Sequence, residues 1–267
     1  MKTERLHTNN KAGFTLVELA IVLVIIGLIV GGVLVGQDMI KSAEIRSTIS
    51  QWEKFNTAQN TFRDKYAGYP GDLRDATNFG FVDRVAVAAG VTTGDGNGLL
   101  EDCINPSGQD VGCETAVFFD DLARAEIIAE EINSLPATRL LNHVGGDDAA
   151  DNFPEASIGG GNYWTVYSIN GRNWYHLSNL NFANAGPDVA NGIEPISAFN
   201  IDSKIDDSVA NTGVVLAASD RGITATDNTD AAGTCLSTDA TDAFYNTDEN
   251  NAGESTSANC QLMIRMN

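Results

Sequence analysis

One short loop holds residues that could bind a metal ion. The sequence "GDGNGLLED", residues 94–102, places Asp95, Asn97, Glu101 and Asp102 among glycines. Oxygen ligands on alternate residues of a tight loop are how short protein loops surround Ca²⁺. The complete EF-hand pattern is absent, because a third alternate oxygen ligand and the Glu at the twelfth position are missing. Asp-Gly and Asn-Gly also form turns readily, so calcium and a plain solvated turn remain two interpretations.

A second acidic group stands further along the chain, at Asp202, Asp206 and Asp207. These side chains could also supply oxygen ligands to calcium. A helix end with Lys204 nearby explains the same residues, and we favour that interpretation here.

The four cysteines fall into two neighbourhoods, Cys103 with Cys113 and Cys235 with Cys260. Three pairings are possible in principle, and we predict pairing within each neighbourhood because shorter loops close more easily. Zinc is a poor alternative, since no pair has C-x2-C spacing and His143 and His176 are isolated. Disulfides form in oxidising compartments, so this part of the chain is expected outside the cytoplasm.

Catalysis finds little support in the sequence. Neither His143 nor His176 lies in a nucleophile or metal-ligand motif, and the phosphate-binding GxxxxGK[ST] loop is missing. We expect His176, in "NWYHL", to be a strand residue beside Trp174 and Tyr175. A second aromatic group, Tyr163, Trp164 and Tyr167, is explained better as sheet core than as a ligand surface. The sequence therefore predicts a protein that is not an enzyme and needs no cofactor, calcium excepted.

The charge balance excludes one class of partner. Lys and Arg number 16 against 36 Asp and Glu, which gives a formal net charge of -20 at pH 7. Such a chain repels nucleic-acid phosphates, so no nucleic-acid partner is expected.

The first 36 residues contain a segment long enough to cross a membrane. Residues 19–35 carry no charge, and residues 14–36 together match the roughly 20 residues that a spanning helix needs. The basic tail of Lys2, Arg5 and Lys11 is expected to stay in the cytoplasm. A cleaved secretory signal is the alternative, but it needs a shorter apolar run, and "VLVGQDM" is a weak cleavage site.

The start of this segment resembles a known processing site. "GFTLVEL", residues 13–19, is similar to the site of type IV prepilins and type II secretion pseudopilins. The resemblance implies that prepilin peptidase cleaves between Gly13 and Phe14 and that Phe14 is N-methylated. It also implies an inner-membrane precursor, held by membrane lipid before assembly, that joins copies of itself and other pilins or pseudopilins on an inner-membrane assembly platform.

Glu18 is the ionised residue at the start of the apolar segment. A carboxylate deep in a bilayer costs about 2.5–3.5 kcal/mol on insertion scales, so it needs a partner or a place near the interface. The resemblance implies that Glu18 pairs with the methylated amine of a neighbouring subunit during assembly. The alternative is that Glu18 lies at headgroup depth without a specific partner.

The polar continuation of this segment predicts a stalk helix. Apolar residues at spacings of three and four run to Tyr66, and "AGYPGD" then stops the helix. We divide the chain into a leader (1–13), a membrane and filament-core half of the stalk (14–36), an amphipathic half (37–66) and a globular extracytoplasmic head (67–267).

The head is predicted to be α+β, with a small antiparallel sheet packed on the stalk and disulfide-bonded, loop-rich insertions. Helices are expected at residues 115–132 and 196–205, and strands at "NYWTVYSI", "NWYHL", "TGVVLAA" and "CQLMIRM".

Several head segments resemble a large-headed group of prepilin-like proteins. "YPGDL", "GDGNG", "FFDDLARAEII", "IDSKIDD" and the late cysteine pair occur in the order typical of that group. The chain departs from the pattern at Ser208, where we expect Gly. Related pseudopilin heads hold calcium, which supports that interpretation without locating ligands. A type IV pilus and a periplasmic type II secretion pseudopilus both remain open, as does a secreted or membrane-anchored binding protein or adhesin that forms no fibre.

Overall fold

The computed structural model describes most of the stalk and a large part of the head. The described residues are 15–81, 94–101, 103–104, 110–111, 114–130, 132, 153–181, 188–190, 192–218, 235, 245, 247 and 260–267. The chain divides into two compact units, Met1–Ala43 and Glu44–Asn267. We call the second of these the head unit.

Helix α1, Leu16–Tyr66, is the predicted stalk. Within the described residues, α1 is the only helix that is long and apolar enough to cross a membrane. Its most apolar stretch has a mean hydropathy of 3.0. In the head unit the helix becomes one-sided and buries Ile45, Phe55 and Phe62. It ends where Ala67 adopts a left-handed backbone, φ 57°, and donates its N–H to the Arg63 carbonyl at 2.8 Å.

Within the described residues, seven strands form two antiparallel sheets. The small sheet pairs β1, Cys103–Ile104, with β2, Asp110–Val111. The larger sheet contains β3, Asn162–Ile169; β4, Arg172–Asn181; β5, Asp188–Ala190; β6, Val215–Ala218; and β7, Gln261–Arg265. Its strand order is β3-β4-β7-β6, and β5 pairs with the end of β4. The predicted α+β class and its small antiparallel sheet are confirmed.

The core lies between one face of the larger sheet and α1. Trp164 of β3 and Tyr175 of β4 are fully buried and alternate with residues of the opposite face. The Phe55 ring of α1 contacts the Trp164 ring edge-on, with 6.2 Å between centroids. Each such large apolar side chain contributes about 1.5–3 kcal/mol when it leaves water. Trp164 is therefore a core residue, as predicted.

A single glutamine completes the contact of stalk and sheet. Gln51 Oε1 accepts the Ser157 N–H at 2.8 Å and the Trp164 Nε1–H at 3.3 Å. Its Nε2 donates to the Glu155 carbonyl at 3.1 Å. Gln51 thus links α1 to the backbone just before β3 and to the Trp164 ring of β3.

Helix α2, Glu114–Arg124, is shorter than predicted, since residues 115–132 were expected to be helical. Glu126 has a left-handed backbone, φ 57°, and donates its N–H to the Ala123 carbonyl. The Ile127 N–H bonds to the Leu122 carbonyl at 3.1 Å, which completes a Schellman motif. The prediction was wrong because Glu126 occupies the left-handed position after the helix, where a glycine in the sequence usually indicates a helix end. Helix α3, Pro195–Ile205, agrees with the expected 196–205. A short 3₁₀ helix, Ala76–Phe79, lies between α1 and the acidic loop.

The Cys235–Cys260 disulfide is present, as predicted, and both cysteines are buried. Cys260 immediately precedes β7, so the bond fastens the last strand to a distant part of the chain. Cys113 and the Cys103 side chain lie outside the described residues, and their pairing stays a prediction.

Candidate functional site

The first turn of α1 is closed by a reciprocal pair of side chains. Thr15 precedes the helix, and both its N–H and its hydroxyl donate to Glu18 Oε2 at 2.8 Å. The Glu18 N–H in turn lies 3.3 Å from Thr15 Oγ1. This is a capping box, and its Thr-x-x-Glu signature stands in the sequence as "TLVE", where our sequence analysis overlooked it. Gly13 and Phe14 lie outside the described residues.

The apolar side chains that follow Glu18 are exposed. The large ones from Leu19 to Ile40 show between 51% and 77% of their surface to solvent. A contiguous apolar surface of this length indicates a membrane or protein partner. The arrangement therefore combines a capped, acidic helix start with an uncovered apolar helix.

Residues 8–34 match the family model described as the prokaryotic N-terminal methylation motif. The chain carries a prokaryotic N-terminal methylation motif. This agrees with a type IV prepilin-like protein and with the resemblance of "GFTLVEL". The match with the motif includes Gly13, Phe14, Thr15 and Glu18 but ends well before the head unit. No curated protein and no solved structure matches the chain.

The acidic loop, residues 94–101, is held by two carboxylates that the sequence analysis did not select. Asp72 accepts the N–H groups of Gly96 and Gly98, each at 2.7 Å. Glu114, the first residue of α2, accepts those of Gly94 at 2.8 Å and Glu101 at 2.9 Å. The loop is thus folded around buried side chains from two other segments.

Asp95, Asn97 and Glu101 do come together within the loop. Asp95 accepts the Asn97 backbone N–H at 2.9 Å and the Asn97 side-chain amide at 3.0 Å. Asn97 Oδ1 accepts the Leu99 N–H at 2.7 Å. These are turn contacts, and Asp102 lies outside the described residues.

The carboxylate oxygens that converge belong to a different set. Oxygens of Asp72, Asp95 and Glu114 lie within 4.8 Å of one another. Oxygen donors are the ligands that calcium prefers, so this set could hold a cation. Calcium binding itself stays a prediction.

Electrostatics in this group are unfavourable for three ionised carboxylates. Burial, followed by the charges of Asp72 and Asp95, raises the pKa of Glu114 to about 7, although its two backbone N–H partners oppose the shift. Burial also raises the pKa of Asp72. The group therefore takes up a proton more readily than separate carboxylates in water would.

The second acidic group shapes the turn after α3. Asp202 accepts the Tyr245 hydroxyl at 2.9 Å, and Asp207 accepts the Thr212 hydroxyl at 2.7 Å. Asp206 accepts the Val214 N–H. Burial raises the pKa of Asp202 to about 6, and the neighbouring Asp207 and Asp206 add to the shift. These bonds give the three residues a structural role. Carboxylate oxygens of the same three residues also lie within 4.8 Å of one another, so the choice between a plain helix end and a calcium site stays a prediction.

Ser208 lies in this same turn with a left-handed backbone, φ 69°. Glycine adopts that conformation without steric cost, which accounts for the glycine expected there.

His176 lies on β4, as predicted, and is buried. Its Nε2 is 2.9 Å from Gln261 Oε1, and its ring meets the Tyr167 ring edge-on at 5.1 Å. The contacts are those of a packed strand residue. His143 lies outside the described residues.

Proposed function

We propose that this chain is a structural subunit that polymerises through α1. In this proposal prepilin peptidase cleaves between Gly13 and Phe14 and methylates the new amino terminus. The mature subunit then leaves the inner membrane and enters a type IV pilus or a type II secretion pseudopilus. The observation that carries the proposal is the exposed apolar half of α1, which begins directly at the methylation motif.

Physical chemistry supports two successive environments for the same helix. Removal of apolar surface from water is favourable by about 25 cal/mol per Å². Before assembly, lipid covers the apolar side chains of α1. After assembly, neighbouring copies of the helix cover the same side chains in a fibre core. The helix satisfies its own backbone groups in both environments, so no refolding is needed.

Glu18 has a distinct role in this proposal. Thr15 gives the carboxylate two hydrogen bonds but no compensating charge. A methylated N-terminal amine from a neighbouring subunit supplies that charge when the helices pack. The attraction between the two charges offsets the cost of removing them from water, and the pair fixes the axial register of one subunit against the next.

The expected partners follow from the proposed sequence of membrane insertion, processing and assembly. They are membrane lipid, prepilin peptidase, the inner-membrane assembly platform, and further copies of this chain or other pilins and pseudopilins. The Cys235–Cys260 disulfide supports an extracytoplasmic head. The subunit acts by assembly and not by catalysis.

Fractionation of native cells tests the destination. Recovery of the mature chain in sheared surface fibres supports a pilus, whereas fibre-like oligomers confined to the envelope support a pseudopilus. A chain found only as a monomer, in the medium or in the membrane, supports the alternative of a binding protein or adhesin and overturns polymerisation.

A further inference from the structure

An open cleft of about 790 Å³ lies in the head unit where α1 ends. Its walls include Arg63 and Asp64 from the last turns of α1, Arg74 and Asp75 from the chain reversal, and Phe79 from the 3₁₀ helix. Small-molecule sites usually have about 300–1,000 Å³, so the cleft has a suitable size. None of the roles described above uses these five side chains.

Phe79 gives the cleft an exposed aromatic surface. Beyond the exposed half of α1, the large apolar side chains that lie open to solvent within the described residues are Phe79, at 51%, and Ile196, at 42%. The Phe79 ring is held edge-on against the Tyr66 ring, with 5.6 Å between centroids. Tyr66 also lines the cleft. The edge-on contact with Tyr66 thus positions the exposed Phe79 ring beside polar groups.

The two arginines of the cleft are held in place. The Arg63 guanidinium lies over the Tyr69 ring, 4.3 Å from its centroid. Arg74 donates through Nε and Nη2 to the Asp95 carbonyl, at 3.0 and 2.6 Å. Side chains that are already ordered lose less conformational entropy when a ligand binds.

Charges of both signs line the cleft. Arg63 and Arg74 lie on its walls together with Asp64, Asp72 and Asp75. Both carboxylate oxygens of Asp72 accept backbone N–H groups of the acidic loop. A ligand here meets hydrogen-bond donors and acceptors in mixture, next to an aromatic surface.

We propose that this cleft binds a neutral saccharide. Sugar hydroxyls donate and accept at once, which suits guanidinium donors interleaved with carboxylate acceptors. The C–H face of a sugar ring is apolar and can pack on the exposed Phe79 ring.

The test uses the full chain in lipid nanodiscs, because many detergents carry sugar headgroups. Maltotriose, cellotriose and triacetylchitotriose are each titrated, with sulfated maltotriose as a charged comparison and saturation-transfer NMR as the readout. Transfer to the ring protons of at least one trisaccharide is expected. Phe79→Ala should weaken that binding about tenfold, the equivalent of about 1.4 kcal/mol. Asp64→Asn should weaken it as well.

Matched controls separate this site from general effects. Ile196→Ala removes the other exposed apolar side chain of the head unit, and Glu53→Gln removes an exposed charge from the same helix as Asp64. Both variants should bind as the unchanged protein does. Absence of transfer from all three sugars overturns the proposal. Equal loss in Ile196→Ala overturns it too, as does binding seen only with sulfated maltotriose and abolished by salt. None of these results bears on assembly through α1.

Discussion

Thr15 and Glu18 cap the stalk helix reciprocally, with the Thr15 N–H and hydroxyl both 2.8 Å from Glu18 Oε2. The same carboxylate therefore has a local structural role and, in our proposal, an intersubunit one. Substitutions can separate the two, because glutamine also completes a capping box but carries no charge.

We predict that Glu18→Gln is processed normally yet assembles poorly, like Glu18→Ala. The charge pair with the neighbouring amine is lost in both variants, whereas the cap is lost only in the alanine variant. Fibre yield after shearing, divided by the amount of processed subunit, measures the effect. Normal fibres from Glu18→Gln would show that capping alone explains the residue.

Glu126→Gly should stabilise the head unit by roughly 0.5–1 kcal/mol, because the left-handed conformation costs a non-glycine residue more than glycine loses in chain entropy. Thermal unfolding in nanodiscs measures this change. Glu53→Gly is the matched control: Glu53 is exposed inside α1, where glycine should destabilise by about 1 kcal/mol. A loss of stability in Glu126→Gly would contradict our account of how α2 ends.

Removal of the Cys235–Cys260 bond should destabilise the head unit by about 3.5 kcal/mol in the chain-entropy model. The bond closes a loop with a sequence separation of 25 and precedes β7. The double Cys235→Ser, Cys260→Ser variant should show a matching fall in the urea midpoint. An unchanged midpoint would mean that β7 is held without the bond.

Stability of the head unit should fall as pH rises toward 7. Glu114 has a folded pKa of about 7, above its ordinary value of 4.5, so the folded chain binds this proton more tightly than the unfolded chain does. Its stabilising contribution is complete below the ordinary value and is lost as pH rises through about 7. Asp202 acts similarly but at lower pH, because its pKa is about 6.

Urea midpoints measured from about pH 6 to about pH 8 follow the loss of the Glu114 contribution. Glu114→Gln should flatten the slope, and Glu53→Gln should leave it intact. Calcium provides a second arm of the experiment: a cation among Asp72, Asp95 and Glu114 favours their ionised forms and should also flatten the slope. A slope that calcium does not alter would contradict the prediction of calcium at the acidic loop.

The sequence predicted some parts of this fold well for physical reasons. The alternation in "NYWTVYSI" identified β3 residue for residue, since one buried face imposes a period of two. The end of α2 at Arg124 was not predicted, because Glu126 adopts a backbone conformation that a non-glycine residue does not favour.

For the candidate sites too, local sequence patterns predicted some residues and not others. Glu18 could be selected from a local motif. Asp72 and Glu114 could not, because only the folded chain brings them to the acidic loop from segments more than ten residues away.

The most direct test of the account is the intact mass and N-terminal sequence of the native protein. We predict a chain that begins at Phe14, carries one added methyl group on its amine and lacks residues 1–13. A chain that retains Met1, or one cleaved near Gln37 by ordinary signal peptidase, would contradict the proposal that this protein is a processed, pilin-like subunit.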